Sequence, residues 1–595
     1  MSANQRFFGL SKYHLESTSR FPYFTDKSDW ERAPYEGVSY YIMMKMKIVL
    51  LSIIIVLSIS LNAQNMSSPF SYSERIDDDF VPMEKESMRL SPQFKFQSNL
   101  ISTIQVNTSA DNRNIIDDAA NEPTLAINPM NQKEMIIGWR QFDNRASNFR
   151  QAGIAYSIDG GESWNNIAPI ESGVFRTDPV LAVNSEGRFF YNSLTKNYNC
   201  DVFSSTDLED WSEKTYALGG DKQWMVIDNT AHHSNGNIYA FWKQEASDCE
   251  GNFTRSLDKG LNYEECSTVD FNPTRGTLSV DPEGILYACG VWNNTFKILR
   301  SASARNQSTK VTWELNNVVD LRGSMALYAG PNPRGMLGQV WIATDHSQSA
   351  YRSNVYLLCS IARSDNRDPS DIMFSRSIDK GGTWTEAIKI NDDNSLDNWQ
   401  WFGTMSTAPN GRIDVVWLDT RDNPGTYLSS LYYSFSLDGG SSWSPNERVS
   451  QEFDPHVGWP NQEKMGDYFH MKSFDDYAYV AWSATFNGEQ DIYFSTIKTI
   501  STNIGSSFSK QAINVYPNPF RNELRITGLN QAAISKVAVF NLNGKELFSV
   551  AYTDEVSKDD KLIFFNSENP LLQGVYIVRI TFDDNSQQFR KVVKR

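Results

Sequence analysis

Charged and aromatic residues stand at matched places along this chain of 595 residues, just before or just after short apolar strands. Those before a strand are Glu122, Asp178, Asp221, Arg275, Trp399, Trp401, Asp467 and Tyr468, and those after one are Arg140, Asp345 and Arg421. Carboxylates can transfer protons or bind cations, arginine can hold a carboxylate, and tryptophan can stack on a sugar ring. If the strands surround a common axis, these residues would meet at one end of it and form a single binding site, called the mouth.

The element that would arrange the strands in this way is a recurring turn, Ser-x-Asp-x-Gly-x-Ser/Thr-Trp. Complete copies occupy Ser157–Trp164, Ser377–Trp384 and Ser436–Trp443, and partial copies lie near residues 205, 256, 301 and 495. The Asp is expected to accept backbone N–H groups, the Gly to take a positive φ, and the Trp to pack on a neighbouring sheet. Spacings of about 45 to 76 residues are typical of four-stranded propeller blades. We therefore predict an all-β chain with a propeller of seven blades, or alternatively six.

The recurring turn resembles the Asp-box, or bacterial neuraminidase repeat, of sialidase-like β-propellers. The resemblance assigns a structural role to the turn aspartates Asp159, Asp207, Asp258, Asp379 and Asp438. In this fold the turn joins the third and fourth strands, so we expect the ligand to bind at the opposite end of the sheets, around the axis. Many such propellers are not sialidases, so the resemblance predicts the fold and leaves the activity open.

Sialidase chemistry, as the resemblance implies it, uses three arginines to hold a carboxylate, a tyrosine nucleophile activated by a glutamate, and an aspartate as acid and base. Arg140, Arg275 and Arg421 are the candidates for the arginines. The catalytic candidates are Tyr468, Glu122 and Asp178. The leading function is recognition of an extracellular glycan or protein through the axial mouth, and the alternative is an exo-sialidase-like glycoside hydrolase.

Each candidate also has a structural interpretation. Arg140 and Arg421 are also explained by Arg–Asp pairs that brace adjacent blades, and Trp399 and Trp401 by packing between blades. The acidic residues that precede inner strands could cap turns, bind a structural calcium ion at the axis, or contact a ligand. They are Glu122, Asp178, Asp221 and Asp467. No other cofactor is predicted.

Two further segments indicate export. Residues 43–63 have a basic start, an apolar run and a small residue near the end, which is the pattern of a signal peptide. The Tyr516–Phe520, Asn543–Lys545 and Gly574–Tyr576 segments resemble the type A sorting domain of the type IX secretion system. That resemblance implies passage across the outer membrane, with the secretion machinery as partner, and an extracellular or cell-surface location.

The expected organisation is therefore a non-functional upstream extension at residues 1–42, a signal peptide at 43–63 and an extended arm at 64–120. The propeller follows at 121–498, a linker at 499–512 and a sorting domain at 513–595, built as a small β-sandwich. We expect no transmembrane segment in the mature protein.

Composition narrows the function further. The net charge of −16 argues against a nucleic-acid partner and an anionic membrane surface. Five cysteines without a C-x-x-C pair argue against a zinc site. Among them Cys249 and Cys266 flank one hairpin and are the favoured disulfide, with buried free thiols as the other interpretation.

Overall fold

The structure is a computed structural model that describes residues 78–83, 88–499, 514–527, 534–541, 545–551, 561–564, 571–582 and 587–595. The upstream extension predicted at 1–42, the signal peptide predicted at 43–63 and nearly all of the predicted linker lie outside the described residues.

Antiparallel sheets of three to five strands follow one another between residues 95 and 498, and the strand of each sheet nearest the axis is called its inner strand. With the inner strand first, sheet 1 comprises Ala119–Ile127, Met135–Phe142, Gln151–Ser157 and Asn165–Asn166; sheet 2 Arg176–Val183, Phe189–Thr195, Cys200–Ser205 and Thr215–Tyr216; sheet 3 Trp224–Ile227, Ile238–Phe241 and Phe253–Ser256; sheet 4 Leu278–Val280, Leu286–Trp292, Thr295–Ser301 and Leu315–Val319. Sheet 5 comprises Trp341–Thr344, Val355–Arg363, Asp371–Ser377 and Ile388–Lys389; sheet 6 Gln400–Thr407, Ile413–Asp419, Ser430–Ser436 and Glu447–Arg448; sheet 7 His470–Ser473, Tyr477–Ala484, Asp491–Lys498, Ile101–Gln105 and Lys95–Gln97.

The sheets form a closed ring. Each inner strand contacts the inner strand of the next sheet, and that of sheet 7 contacts that of sheet 1. Ile101–Gln105, which lies within the segment predicted as an extended arm, closes the ring by pairing antiparallel with Asp491–Lys498. The chain is thus all-β with a β-propeller, which confirms the predicted fold class.

The recurring turns have the predicted hydrogen bonds. A carboxylate oxygen of each turn aspartate accepts a backbone N–H three or four residues further along. The donors are Ser163 for Asp159 (3.0 Å), Asp210 for Asp207 (2.9 Å), Asn262 for Asp258 (2.9 Å), Thr383 for Asp379 (2.7 Å) and Ser442 for Asp438 (2.8 Å). Gly161 has φ +88°, and a Cβ there would overlap the ring of Phe494. Glycine is therefore required both by the backbone and by the space.

The recurring turns also join neighbouring sheets. Trp164 of sheet 1 packs against Phe494 of sheet 7, with ring centroids 5.1 Å apart, as predicted for the turn tryptophan. Lys380, in a turn of sheet 5, pairs at 2.6 Å with Glu283, which follows the inner strand of sheet 4. The recurring turns and the turns that follow the inner strands therefore lie on one face of the ring, called the turn face.

Sheet 5 departs from the regular pattern. The strand Gly323–Met325 pairs with the far half of Val355–Arg363, and the inner strand Trp341–Thr344 pairs with its near half. Between them the chain leaves the sheet as a hairpin of strands Leu327–Ala329 and Asn332–Met336. This segment, residues 326–337, is called the axial hairpin.

The remaining elements are few. Leu90–Pro92 pairs with Arg113–Ile115, within the segment predicted as an arm, and Gln244–Ala246 forms a 3₁₀ turn. A disulfide joins Cys249 and Cys266, whose Cα atoms are 6.6 Å apart, so the favoured pairing is confirmed. Cys200, Cys289 and Cys359 are buried free thiols.

The C-terminal residues form two facing sheets around a core of their own, as a β-sandwich requires. One sheet comprises Asn514–Tyr516, Glu523–Thr527 and Lys561–Phe564, and the other Ile534–Phe540, Glu546–Ala551, Gly574–Phe582 and Gln587–Lys594. Leu524 and Ile526 from the first pack with Val537, Val578 and Ile580 from the second.

Candidate functional site

One residue near the start of every inner strand has a left-handed backbone. These residues, called the left-handed ring, are Glu122 (φ 53°), Asp178 (49°), Lys222 (59°), Arg275 (61°), Gly338 (134°), Phe402 (55°) and Gly466 (86°). In sheets 1, 2 and 6 the position coincides with a register shift of the inner strand, which is a β-bulge. A positive φ is costly for residues other than glycine, and such strain concentrates at functional sites.

Sequence reasoning found part of this ring. Glu122, Asp178 and Arg275 occupy the predicted positions. In sheets 3, 6 and 7 the prediction fell one residue away, on Asp221, Trp401 and Asp467, and in sheet 6 a bulge displaces the residue with the positive φ. Sequence pattern alone carries no signal for the bulge except the proline that follows Glu122 and Asp178.

Three charged members of the ring, Glu122, Asp178 and Lys222, form a buried cluster with residues that lead into sheet 7. The Lys222 Nζ atom lies 2.5 Å from Oδ2 of Asp467 and 3.9 Å from Oδ2 of Asp178. Lys464 Nζ lies 3.0 Å from the same Asp467 oxygen and 3.8 Å from Oε1 of Glu122. The two ammonium groups thus lie among the three carboxylates and share the oxygen Oδ2 of Asp467.

Glu122 is the least satisfied member of this cluster. Its side chain is fully buried, and neither of its oxygens accepts a hydrogen bond from a residue that the structure describes. Arg140 approaches Oε2 to 3.4 Å but directs its Nε–H to Oδ1 of Asn121. Burial, aided by the nearby Asp178 and Asp467 charges and opposed by Arg140, raises the pKa of Glu122 to about 8.

Tyr468 lies at the edge of the cluster that is nearer the turn face. Its hydroxyl donates to the carbonyl oxygen of Pro179 at 3.0 Å. Burial raises the pKa of Tyr468 well above its ordinary value, and the charges of Glu122 and Asp178 raise it further. The structure therefore brings the predicted catalytic trio Tyr468, Glu122 and Asp178 into one electrostatic environment.

The axial hairpin covers this cluster. The side chain of Asn332 donates to the carbonyl of Gly466 at 2.8 Å and accepts the N–H of Met465 at 2.9 Å. The backbone N–H of Met336 donates to Oδ1 of Asp467 at 2.8 Å. The mouth predicted from the sequence is thus filled by the chain itself, and its acidic residues face partners within the protein.

Two predicted arginines have separate partners. Arg140 lies with Glu122 and Asn121 in sheet 1, whereas Arg421 bonds to Asp419 and Asp392 and stacks at 4.5 Å on Tyr432. The arrangement of Arg421 is that of a brace between sheets 5 and 6. Arg275 donates to the hydroxyl of Thr274 at 3.3 Å.

The structure places Asp345 at the other end of the sheet from the predicted mouth. Asp345 follows the inner strand of sheet 5, and its carboxylate accepts the N–H of Ser347 at 2.8 Å within a turn. The prediction had assigned it to the binding mouth, together with the other residues that follow a strand. The prediction was wrong because the axial hairpin is inserted before the inner strand of sheet 5, so Trp341–Thr344 is the inner strand and not the second strand.

An aromatic surface lies beside the axial hairpin. Its members are Trp399, Tyr427, His456 and Trp459, and the ring centroids are 6.4, 5.0 and 4.8 Å apart in that order. Tyr427 is 41% exposed and the others are half-buried. They come from three loops at the end of sheets 6 and 7 opposite the turn face. Trp401, in contrast, is fully buried and donates to Ser429, so it belongs to the core.

No group of three or more His, Cys, Asp or Glu side chains in the described part of the chain has the geometry of a metal site. Within the same residues no helix is long and apolar enough to span a bilayer.

Residues 514–595 match the model of a family described as the secretion system C-terminal sorting domain. The chain is a protein exported across the outer membrane. Within this sorting domain Asn518 donates to the carbonyl of Lys591 and accepts the N–H of Val593, both at 2.9 Å. These bonds fix the Tyr516–Phe520 segment to the last strand. The sorting domain indicates that the protein reaches the cell surface or the extracellular space.

The propeller resembles solved structures at low identity. A protein of unknown function from Dyadobacter fermentans is 12% identical with a TM-score of 0.38, covering 67% of this chain and 98% of the other. The leech intramolecular trans-sialidase is 12% identical with a TM-score of 0.35, over 50% and 64%. The BP39L lectin from Burkholderia pseudomallei is 10% identical with a TM-score of 0.38, over 56% and 84%. No curated protein matches the chain. These values assign neither ligand nor activity.

Proposed function

We propose that this exported propeller binds a carbohydrate outside the cell through the aromatic surface of Trp399, Tyr427, His456 and Trp459. The observation that carries the proposal is that four aromatic rings from three loops contact one another in a row. Packing within a blade does not require such an assembly, and exposed apolar patches usually mark an interaction site. Aromatic faces suit the C–H faces of sugar rings.

Polar groups beside the rings support the same proposal. Asn423 and Glu452 are bonded to each other at 2.9 Å near Tyr427, and Thr426 precedes it. A site that combines aromatic faces with a few amide, hydroxyl and carboxylate groups has the usual composition of a small-molecule site. The axial hairpin supplies one edge, since a Cβ at Gly330 would overlap the indole of Trp399.

The test is a glycan array followed by calorimetry with any glycan that binds. Tyr427→Ala should weaken binding at least tenfold, because Tyr427 is the most exposed ring of the surface. Tyr477→Ala is the matched control, since Tyr477 is 38% exposed but lies next to the turn face. A Tyr427→Ala protein that binds as the wild type does would refute the assignment, as would a wild-type protein that binds no glycan on the array.

A sialidase-like hydrolase is the second candidate, and the shared environment of Tyr468, Glu122 and Asp178 favours it. The hydroxyl of Tyr468 would need to leave Pro179, and the axial hairpin would need to move, before a sialoside could reach the trio. Release of a fluorogenic group from a sialoside, lost in Tyr468→Phe and retained in Tyr477→Phe, would favour the enzyme over the binding protein.

A further inference from the structure

A cavity of about 350 Å³ lies on the axis of the ring, between the buried cluster and the turn face. Inner strands of the ring form its wall, and residues that follow those strands, such as Asn229 and His346, form its rim on the turn face. The volume lies at the lower end of the range for small-molecule sites.

A plug of aromatic rings separates this cavity from the buried cluster. The rings of Trp341 and His470 are stacked at 5.7 Å, and Trp224 meets their edges at 5.2 and 5.7 Å. Trp224 also contacts Tyr468, a neighbour of the buried cluster. A ligand would therefore enter this cavity from the turn face, independently of the aromatic surface at the other end.

Lys472 is the distinctive residue of the wall. Among the described residues no aspartate, glutamate or arginine lines the cavity, and the titratable lining groups are Lys472, His470 and His346. The side chain of Lys472 is exposed on the wall, in the middle of the inner strand of sheet 7, between buried Met471 and Ser473. It makes no hydrogen bond or ion pair with another residue that the structure describes. The surrounding strands partly desolvate its ammonium group and lower its pKa although the side chain is exposed to the cavity, and burial keeps His470 neutral by lowering its pKa.

No carboxylate among the described residues offsets the partial desolvation of this ammonium group, which makes it mildly unfavourable for folding. Packing gives no reason for it either, because a neutral side chain of equal length would fill the same space. A lysine at such a place fits a ligand of opposite charge better than it fits a structural role.

We propose that this cavity binds a small carboxylate and that the ammonium group of Lys472 pairs with it. A single ammonium group balances one negative charge, which favours a monoanion over phosphate or sulfate. The hydroxyl of Ser406 accepts the N–H of Ser473 at 3.0 Å and finds no acceptor for its own proton among the described residues, so it can donate to the ligand. The inner strands add unpaired backbone edges that can bind ligand hydroxyl groups.

The experiment titrates the purified exported protein with acetate, lactate, glutamate and glucuronate, using glucose and sulfate as neutral and divalent controls. At least one carboxylate should bind, and Lys472→Met should weaken that binding at least tenfold while Lys472→Arg retains part of it. Lys133→Met is the matched control, because Lys133 is an exposed lysine on the turn face. Failure of all four carboxylates, or equal binding by Lys472→Met, would overturn the proposal.

A second measurement excludes a merely structural lysine. Lys472→Met removes a partly desolvated charge that no described carboxylate pairs with, so its melting temperature without ligand should stay the same or rise. A fall in melting temperature would contradict the proposal. Tyr427→Ala should leave carboxylate binding unchanged, so failure of this site and failure of the glycan site are distinguishable.

Discussion

The ammonium group of Lys222 lies 2.5 Å from Oδ2 of Asp467, so an ion pair joins sheet 3 to sheet 7 across the axis of the ring. Neighbouring inner strands contact each other, but these two sheets are not neighbours. The carboxylate holds Lys222 so firmly that, despite burial, the pKa of Lys222 is well above its ordinary value. The same pairing holds the pKa of Asp467 well below its usual range.

Removal of Lys222 should therefore destabilise the propeller. Lys222→Met leaves Asp178 and Asp467 buried with one cation fewer, and we expect a loss of about 3 kcal/mol in the free energy of unfolding. Lys222→Met combined with Asp467→Asn should lose less than the sum of the single changes, measured by chemical denaturation as a double-mutant cycle. Additive losses would show that the two groups do not interact.

Glu122 should give the protein a pH-dependent stability. The folded protein keeps a proton on Glu122 up to a pKa of about 8, while the unfolded chain releases it near the ordinary value of 4.5. Unfolding thus releases a proton in this window, so a rise in pH from 4.5 to 8 favours the unfolded state. Compared with Glu122→Gln, the wild type should lose a few kcal/mol between these limits. Exposed Glu213 serves as the control, and parallel curves for wild type and Glu122→Gln would contradict the assignment.

The turn aspartates should matter for stability and not for binding. Oδ1 of Asp438 accepts the N–H groups of Ser441 and Ser442 at 2.9 and 2.8 Å. Asp438→Ala should therefore lower the free energy of unfolding by about 1–2 kcal/mol. Binding of a glycan identified on the array should not change, and a tenfold loss of affinity would place the ligand on the turn face instead.

The axial hairpin should loosen when Asn332 is replaced. Asn332→Ala removes the bonds to Gly466 and Met465, which leaves buried backbone groups without partners. Hydrogen exchange of the Met336 and Met465 amides should become at least tenfold faster, as measured by mass spectrometry. Exposed Asn461, in the same approach to sheet 7, gives the control variant Asn461→Ala, and unchanged exchange in Asn332→Ala would show that other contacts hold the hairpin.

Loss of the sorting domain should separate folding from export. A chain without residues 515–595 retains every sheet of the ring, because those residues form a core of their own. We expect it to fold and to accumulate in the periplasm, which fractionation and circular dichroism can establish. Its normal appearance at the cell surface would refute the role of the sorting domain.

The sequence was sufficient to predict the parts of the fold that are built from the recurring turn. The turn at Asp379 and Gly381 carries its own hydrogen-bond pattern, and counting from such turns correctly placed Glu122 and Asp178 near the axis. The inner strand of sheet 5 was misplaced because the insertion that forms the axial hairpin has no counterpart in the other sheets. Lys472 gave no signal, since a lysine in a four-residue strand looks like any exposed residue until the ring closes around it.

The strand Ile101–Gln105 has a consequence for how the molecule is made. Its Thr103 hydroxyl bonds to that of Ser495, across 392 positions of the chain. A strand synthesised early must therefore wait for one synthesised almost 400 residues later, and until then two sheet edges stay open to other chains. We therefore expect ring closure to be a late and slow step of folding, during which the open sheet edges need protection from other chains.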